Sequence, residues 1–490
     1  MVRSWVRGGA AAVMVLGLAV AGARAEVPAV TSDAASALTN TLDTGLRQWL
    51  PSGASKAGWR WSGRPLVTPA GDHYDVDLPA LTIAGDDGSG IQVGVVKLTL
   101  TPQADGSWMV GLTVPSRILM VLADGKSDGE MTIGSQRFSG RWLPALGTFV
   151  TMDGEFGTLV AASAKDHTRL EVGKLAIRTD LAEQPPGRWS GPGTLTLNGV
   201  AMVDEHGAEV ARIGSLAVDS TMSGVDLAGL VKIGNTPDAQ HHPELLRGLI
   251  AAFSAKLAVG DTTMTAANDG SSFTVKELAA HGGIEGLDGE LSSVTFGYKH
   301  GGLTLKPSPG PAEFIPDRGD LDLALTSLPN AGLWAAVETV LKPAPGQTDE
   351  QTGTQFAQTA LTALTQAGSR LVIKSLALES PAAAATVKGS ATFDGKAGFG
   401  LVAGIDVVLR GIDAAVKRMQ PAPGAKVDED TQQTLAAFAF AQALGAPGKD
   451  EAGRDLRTYK LELGPDGRIL LNGADMSTVL TGVQGRGAKP

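Results

Sequence analysis

Thr194–Val218 reads TLTLNGVAMVDEHGAEVARIGSLAV, two runs of short apolar alternation on either side of Glu205-His206-Gly207. In an extended strand successive side chains point to opposite faces, so alternation of this kind describes a sheet with one apolar side. A tight reversal between two such runs needs residues that tolerate positive φ, which a Gly supplies. The stretch is therefore expected to be an antiparallel hairpin. The same pattern recurs between Trp59 and Lys232, at Tyr74 to Ile83, Ile91 to Leu100, Trp108 to Val114, Thr194 to Val203 and Val210 to Val218. Asp86-Asp87-Gly88, Ala104-Asp105-Gly106 and Asp124-Gly125 supply further turns. A meander of hairpins is the simplest arrangement.

Helical spacing enters at four places. Leu38, Leu42, Leu46, Trp49 and Leu50 form a stripe over Thr31 to Leu50 that Pro51 closes. It predicts one amphipathic helix, packed on the sheet in preference to a membrane or a partner. Asp238 to Leu257 carries Leu245, Leu246, Leu249, Ile250, Phe253 and Leu257 and predicts a second helix; Leu328 to Leu341 and Thr348 to Ala367 predict two more. Strands return at Phe273 to Leu278, Leu291 to Leu305, Arg370 to Leu378 and Ala385 to Phe393. The expected class is α+β, β-dominated, an antiparallel hairpin meander with amphipathic helices mostly in the second half. Pro-rich breaks at Gln184 to Gly187, Lys306 to Pro311 and Lys342 to Gly346 suggest regions 26–185, 186–345 and 346–490.

A short unit repeats four times: Val172-Gly-Lys-Leu-Ala-Ile177, Ile213-Gly-Ser-Leu-Ala-Val218, Val275-Lys-Glu-Leu-Ala-Ala280 and Ile373-Lys-Ser-Leu-Ala-Leu378. Two adjacent solvated positions interrupt the alternation in each, which predicts a bend or bulge that re-aims the side chains beyond it. The spacings of 41, 62 and 98 residues exclude a solenoid of fixed period.

The first 25 residues hold Arg3 and Arg7, an apolar run from Ala10 to Ala21, and Ala23-Arg24-Ala25 before Glu26. This is a secretory leader with cleavage expected after Ala25, its apolar run being about half of the ~20 residues that span a bilayer. No later stretch is long and apolar enough to span, so the mature chain is expected to be soluble in the periplasm. There is no cysteine, which closes the lipoprotein route and excludes disulfides and thiolate chemistry. The chain has 41 basic against 51 acidic residues, −10; without Arg3, Arg7 and Arg24 the count is 38 against 51, −13. An acidic chain is repelled by nucleic acid and anionic headgroups. With 43% hydrophobic but only 5% aromatic residues, the core is aliphatic; 64 Gly, about double the usual share, suit many turns.

The repeated units, with Ala385-Thr-Val-Lys-Gly389, Gly398 to Val408 and the closing Tyr459 to Leu463 and Asp466 to Gly473, resemble the C-terminal parts of AsmA-like periplasmic proteins. They resemble more closely the bacterial family called domain of unknown function 2125. The resemblance covers Leu170 to Gly473 and implies an elongated β-sheet in the cell envelope, with no catalytic residue attached to it.

Candidate chemistry is sparse. Gly125-Lys126-Ser127-Asp128-Gly129 spells a nucleophile elbow, but that motif needs a strand before and a helix after, and Met131 to Gly134 continues as strand and turn. Asp72, His73, Asp75 and Asp77 form an acidic cluster with no further ligand in view. His241-His242 are adjacent and do not point the same way from a helix, and Asp124, Asp128 and Glu130 lack the spacing of a calcium loop. Trp59, Trp61, Trp142, Trp189 and Trp334 either line a ligand surface or, as favoured, cap a sheet core. No catalytic, cofactor or metal residue is assigned. The expected function is a non-enzymatic envelope protein that binds lipid or a partner along its sheet. The alternatives are a periplasmic serine hydrolase, with Ser127 as nucleophile and His73 or His206 as base, and a structural or assembly module.

Overall fold

The computed structural model describes residues 27–49, 58–85, 88–234, 236, 245, 247–266, 269–309, 312–419 and 429–477. Of these, 54% lie in strands and 18% in helices, so the fold is β-dominated, as the alternation predicts. The leader and the His241-His242 pair lie outside the described residues. The chain forms two compact units that part between residues 236 and 237. The Pro-rich breaks at Gln184 to Gly187 and Lys342 to Gly346 lie in turns within them, and the third follows a strand that ends at Lys306 and runs into residues 310 and 311, outside the described part.

The first unit opens with helix α1 (Ser32–Trp49), where Thr31 Oγ1 accepts the Ala34 backbone N–H at 3.2 Å and so caps the first turn. Eight short strands follow: β1 (Gly58–Trp61), β2 (Leu66–Ala70), β3 (His73–Asp77), β4 (Leu81–Ala84), β5 (Gly90–Gly94), β6 (Lys97–Pro102), β7 (Trp108–Thr113) and β8 (Arg117–Val121). The expected strands Tyr74 to Ile83 and Ile91 to Leu100 are each split in two. Pro79 has no N–H to give a ladder and Gly94 turns at φ 81°, so both break beside the same corner, where the Leu78 N–H reaches the Val96 carbonyl at 2.9 Å. Long strands come next: β9 (Ser127–Leu143), β10 (Thr148–Ser163), β11 (Arg169–Asp180), the short β12 (Ala182–Glu183), β13 (Trp189–Val203) and β14 (Glu209–Val225), closed by α2 (Leu227–Gly234).

All pairing is antiparallel. β2-β3-β6-β7 joins the C-terminal part of β9, and β1-β4-β5-β8 joins its N-terminal part. From β9 the sheet runs on as β10-β11-β13-β14. The core sits where α1 covers the first branch: Leu38, Leu42 and Leu46 pack with Tyr74, Val76, Leu98, Leu100, Trp108, Val110 and Trp142. The leucine stripe thus lies on the sheet.

The second unit is one meander. Its strands are β15 (Ala252–Thr265), β16 (Ser272–Glu285), β17 (Leu291–Gly301), β18 (Thr304–Lys306), β19 (Arg318–Pro329), β20 (Arg370–Glu379), β21 (Ala384–Phe393), β22 (Leu401–Arg410), β23 (Ala446–Lys449), β24 (Asp455–Leu463), β25 (Ile469–Leu471) and β26 (Ala474–Asp475). β15-β16-β17-β19-β20-β21-β22-β24 pair in that order. Helices α3 (Asn330–Leu341) and α4 (Asp349–Ala367) connect β19 to β20 at one end of the sheet; α5 (Ile412–Met419) and α6 (Glu429–Leu444) follow β22 at the other. A capping box starts α4: Thr348 Oγ1 accepts from the Gln351 N–H, and Gln351 Oε1 from the Thr348 N–H.

The helix expected over Asp238 to Leu257 is corrected. Residues 237–244 lie outside the described part, and Ala252 to Leu257 belongs to β15, paired with β16. From Phe253 the chain alternates, with Phe253, Ala255, Leu257 and Val259 on one side, and a partner strand turns that period into structure. The helix expected from Leu328 begins two residues later, after β19 has used Leu328 and Pro329. Helices α2, α5 and α6 were not legible from spacing.

Candidate functional site

The four repeat copies mark where the strands crease. In β11, Gly157↔Lys174 and Leu159↔Val172 pair while Thr158 and Gly173 between them do not. The same omission runs across five strands in line, through Gly134, Thr158, Gly173, Gly199 and Gly214, with the register kept on both sides. Thr158 and Gly199 hold φ of 53° and 65°. In the second unit the line is Asp261, Lys276 and Gly302, with φ of 48° at Asp261 and 67° at Gly302. In the fourth copy Lys374 is extra: Asp322 pairs with Ser375 and Leu323 with Ile373, a bulge. The predicted bend is therefore present in every copy, at its second position.

Because directly opposed residues share a face, the register sorts the side chains. Phe138, Gly154, Ile177, Leu195 and Val218 form one row, and Gln136, Phe156, Leu175, Leu197 and Leu216 the next. The packing is close: a Cβ on Gly154 would meet Ile177 Cγ2 at 2.9 Å and Phe138 Cδ2 at 3.0 Å. The opposite face carries the charges, with Asp153 between Arg137 at 3.2 Å and Arg178 at 3.3 Å, and Lys174 on Glu155 at 3.0 Å. Across the crease the apolar row resumes as Ile133, Leu159, Val172, Val200 and Ile213, one residue out of phase. A local left-handed residue is the kind of break that a one-residue change of phase requires if both rows are to stay on one side.

The second unit repeats the arrangement over eight strands. One row is Leu257, Ala280, Tyr298, Leu321, Leu376, Val387, Val407 and Tyr459; the next is Ala255, Gly282, Phe296, Leu323, Ile373, Gly389, Ile405 and Leu461. The reverse face holds Lys299 on Glu277 at 3.1 Å, Lys374 on Asp322 at 3.4 Å and Lys460 on Glu462 at 2.9 Å. Nothing layers over much of the apolar side among the described residues: Phe296 is 47% exposed, Leu378 43% and Leu461 38%. At the β24 margin the Tyr459 hydroxyl donates to the Ala441 carbonyl of α6 at 2.7 Å, and burial raises its pKa. His300 also lies in the apolar set, folded over Gly319 and 5.6 Å from Tyr298, with both ring nitrogens enclosed and unpartnered.

The residues singled out for chemistry are scattered. Ser127 starts β9 at an exposed hairpin tip, its hydroxyl 3.4 Å from the Gly129 carbonyl, and a strand follows it where the elbow needs a helix. His73 contacts Asp72 at 2.9 Å and Asp75 at 3.6 Å, and His206 contacts Glu205 at 3.5 Å. No hydrogen bond among the described residues joins Ser127 to either histidine. The His73 hydrogen bond lowers the pKa of Asp72. On β3, Tyr74 and Val76 point into the core while Asp75 and Asp77 face outward. Asp124 is taken up by Lys126, Glu130 by Arg117, and Asp128 accepts from the Lys165 N–H at 3.3 Å. Trp142 and Trp189 are buried and Trp61 packs against the core, as capping residues do; the Trp334 Nε1 is enclosed, and the Trp59 side chain lies outside the described residues. No family model, curated protein or solved structure matches the chain.

Proposed function

We propose that this chain is a non-enzymatic protein of the bacterial cell envelope that holds lipid acyl chains against the apolar face of its sheets. The observation that carries the reading is the eight-strand apolar face of the second unit, half exposed and backed by a charged one. Seven strand spacings make it about 34 Å wide, more than the ~30 Å hydrocarbon core of a bilayer. Eleven of the sixteen positions in the two central rows of this face are Leu, Val, Ile or Ala, beside Phe296, Tyr298 and Tyr459, and none is a Trp or Arg of the kind that protein interfaces concentrate. That composition favours a fluid hydrocarbon ligand over a protein partner. Outside the described residues, the leader pattern of residues 1–25 supports export. The resemblance to AsmA-like proteins and to domain of unknown function 2125 points to the same compartment.

The test is to purify the mature protein from an envelope fraction, denature it and identify extracted lipid by mass spectrometry. Acyl lipid in near-stoichiometric amount is expected. Protein that is repeatedly free of lipid, and that fails to take up a fluorescent fatty acid, would overturn the reading.

A further inference from the structure

The register adds one more row on each side of the two central apolar rows of the second unit, from Phe253 to Leu463 and from Val259 to Arg457. Four rows of eight positions result, and Arg457 is the one Lys, Arg, Asp or Glu among them. Cations on the reverse face are matched within the sheet, as Lys299 is by Glu277 and Lys460 by Glu462. Directly opposite Arg457 stands Leu409, and its carboxylate comes instead from Asp413 of α5, 3.2 Å from Nη2. Nη1 donates to the Gly445 carbonyl at 3.4 Å, and Nε is enclosed with no partner among the described residues. Asp413 is itself shared, because Gln442 Nε2 donates to the same Oδ1.

We propose that Arg457 anchors the anionic head of an acyl ligand, a carboxylate or a phosphate, whose chain lies along the apolar rows leading away from β24. The proposal rests on the acyl-chain reading above and adds the class of ligand. A guanidinium carries five N–H donors in a planar fork. Two long bonds leave that fork short of acceptors on a side of the sheet where an unmet charge is costly. The side chain is 21% exposed, so it is not sealed from an incoming group. The paired oxygens of a carboxylate or phosphate fit the fork, which an ammonium does not offer. An apolar surface by itself holds any hydrocarbon; one cation at its margin selects a ligand with a negative end and fixes its direction. Tyr459, next on the same side, has its hydroxyl committed to Ala441 and leaves the head to Arg457. The Asp413 carboxylate repels an anionic head, so it tempers the affinity that Arg457 supplies.

Equilibrium dialysis of the delipidated full-length protein against palmitate, hexadecyl phosphate and hexadecanol, which share one chain length, tests this, with inorganic phosphate as the arm that has no chain. The wild type is expected to hold the two anions roughly tenfold or more tighter than hexadecanol, the size of one hydrogen bond to a charged group, and to leave inorganic phosphate unbound. Whichever anion binds tighter names the head group. Arg457→Gln, folded by circular dichroism, is expected to lose the preference and bind hexadecanol as before, while Arg457→Lys keeps part of it. Asp413→Asn is expected to tighten both anions severalfold and leave hexadecanol unchanged. A wild type that holds hexadecanol as tightly as the anions overturns the anchor and leaves the acyl-chain face standing. So does an Arg457→Gln protein in which all three ligands weaken together, the sign of a residue that only ties α5 to β24. Inorganic phosphate bound as well as hexadecyl phosphate overturns it too, since the chain then adds nothing. A protein that binds none of the three removes the acyl-chain face and the anchor with it.

Discussion

Thr158 and Gly199 occupy the same crease with φ of 53° and 65°, yet only one of them is a glycine. For an L-residue the left-handed region costs about 1–2 kcal/mol, because Cβ crowds the following carbonyl. Gly199→Val is therefore expected to lower the unfolding free energy by at least ~1 kcal/mol in urea titration, and Thr158→Gly to lower it little or not at all. A second residue-level device is Asp105, which accepts from the Ser107 N–H at 2.9 Å and hydroxyl at 2.6 Å and pairs with Arg141. The Ser107 hydrogen bond, then the Arg141 charge, lowers its pKa, against the opposing effect of burial. A lowered folded pKa means stability that is present above the unfolded value of about 3.9 and lost as pH falls through the folded one. Asp105→Asn is expected to reduce Tm at pH 7, and the gap should close below about pH 3.9. A gap that persists unchanged at pH 2.5 would refute the assignment.

At the scale of elements, α1 and α4 show two ways in which a helix is written locally. In α1 the stripe at Ala35, Leu38, Leu42 and Leu46 matches the helical repeat, and all four are buried on the sheet. Leu42, 1% exposed, is expected to cost about 2–5 kcal/mol on replacement by Ala, as for cavities in other cores; a loss under ~1 kcal/mol in chemical denaturation would mean that the helix is only loosely seated. In α4 the capping box and uncharged body mark the helix within its own residues. The Asp238 to Leu257 stripe failed because an apolar set that suits period 3.6 overlapped one that suits period two, and pairing with β16 decided it. Pro79 and Gly94 were visible as breakers, but their joint effect on two strands depended on those strands meeting at Leu78 and Val96.

At the scale of the molecule, what matters is that the long strands keep nearly all their charges on one side, Arg457 at the β24 margin, opposite Leu409 and paired with Asp413 at 3.2 Å, being an exception. Leu376 and Val407 lie in the middle of the apolar face, and Lys388 lies in a strand between theirs, on the reverse. Leu376→Glu/Val407→Glu is expected to abolish acyl-lipid retention while the strand signal in circular dichroism is kept, since neither side chain is fully buried. Lys388→Glu is expected to leave retention unchanged. Equal retention in all three proteins would place the lipid elsewhere. No single residue on this face announces itself in the sequence, because Leu, Val and Ile in a strand read the same whether a second layer covers them or not.

Alternation, Gly turns, the α1 stripe and the repeated two-residue interruption are local properties, so the chain by itself determined that it would be an antiparallel meander with bends at Gly173, Gly214, Lys276 and the Lys374 bulge. Which strands lie side by side, how far β9 and β10 extend, and whether Phe253 sits in helix or strand were decided only by tertiary structure. The physical reason is that a side chain's direction repeats every two residues, whereas the alignment of one strand on the next is set by partners far away along the chain. The crease is where the two meet: each strand spells its own break, and only register brings Gly134, Thr158, Gly173, Gly199 and Gly214 into one line.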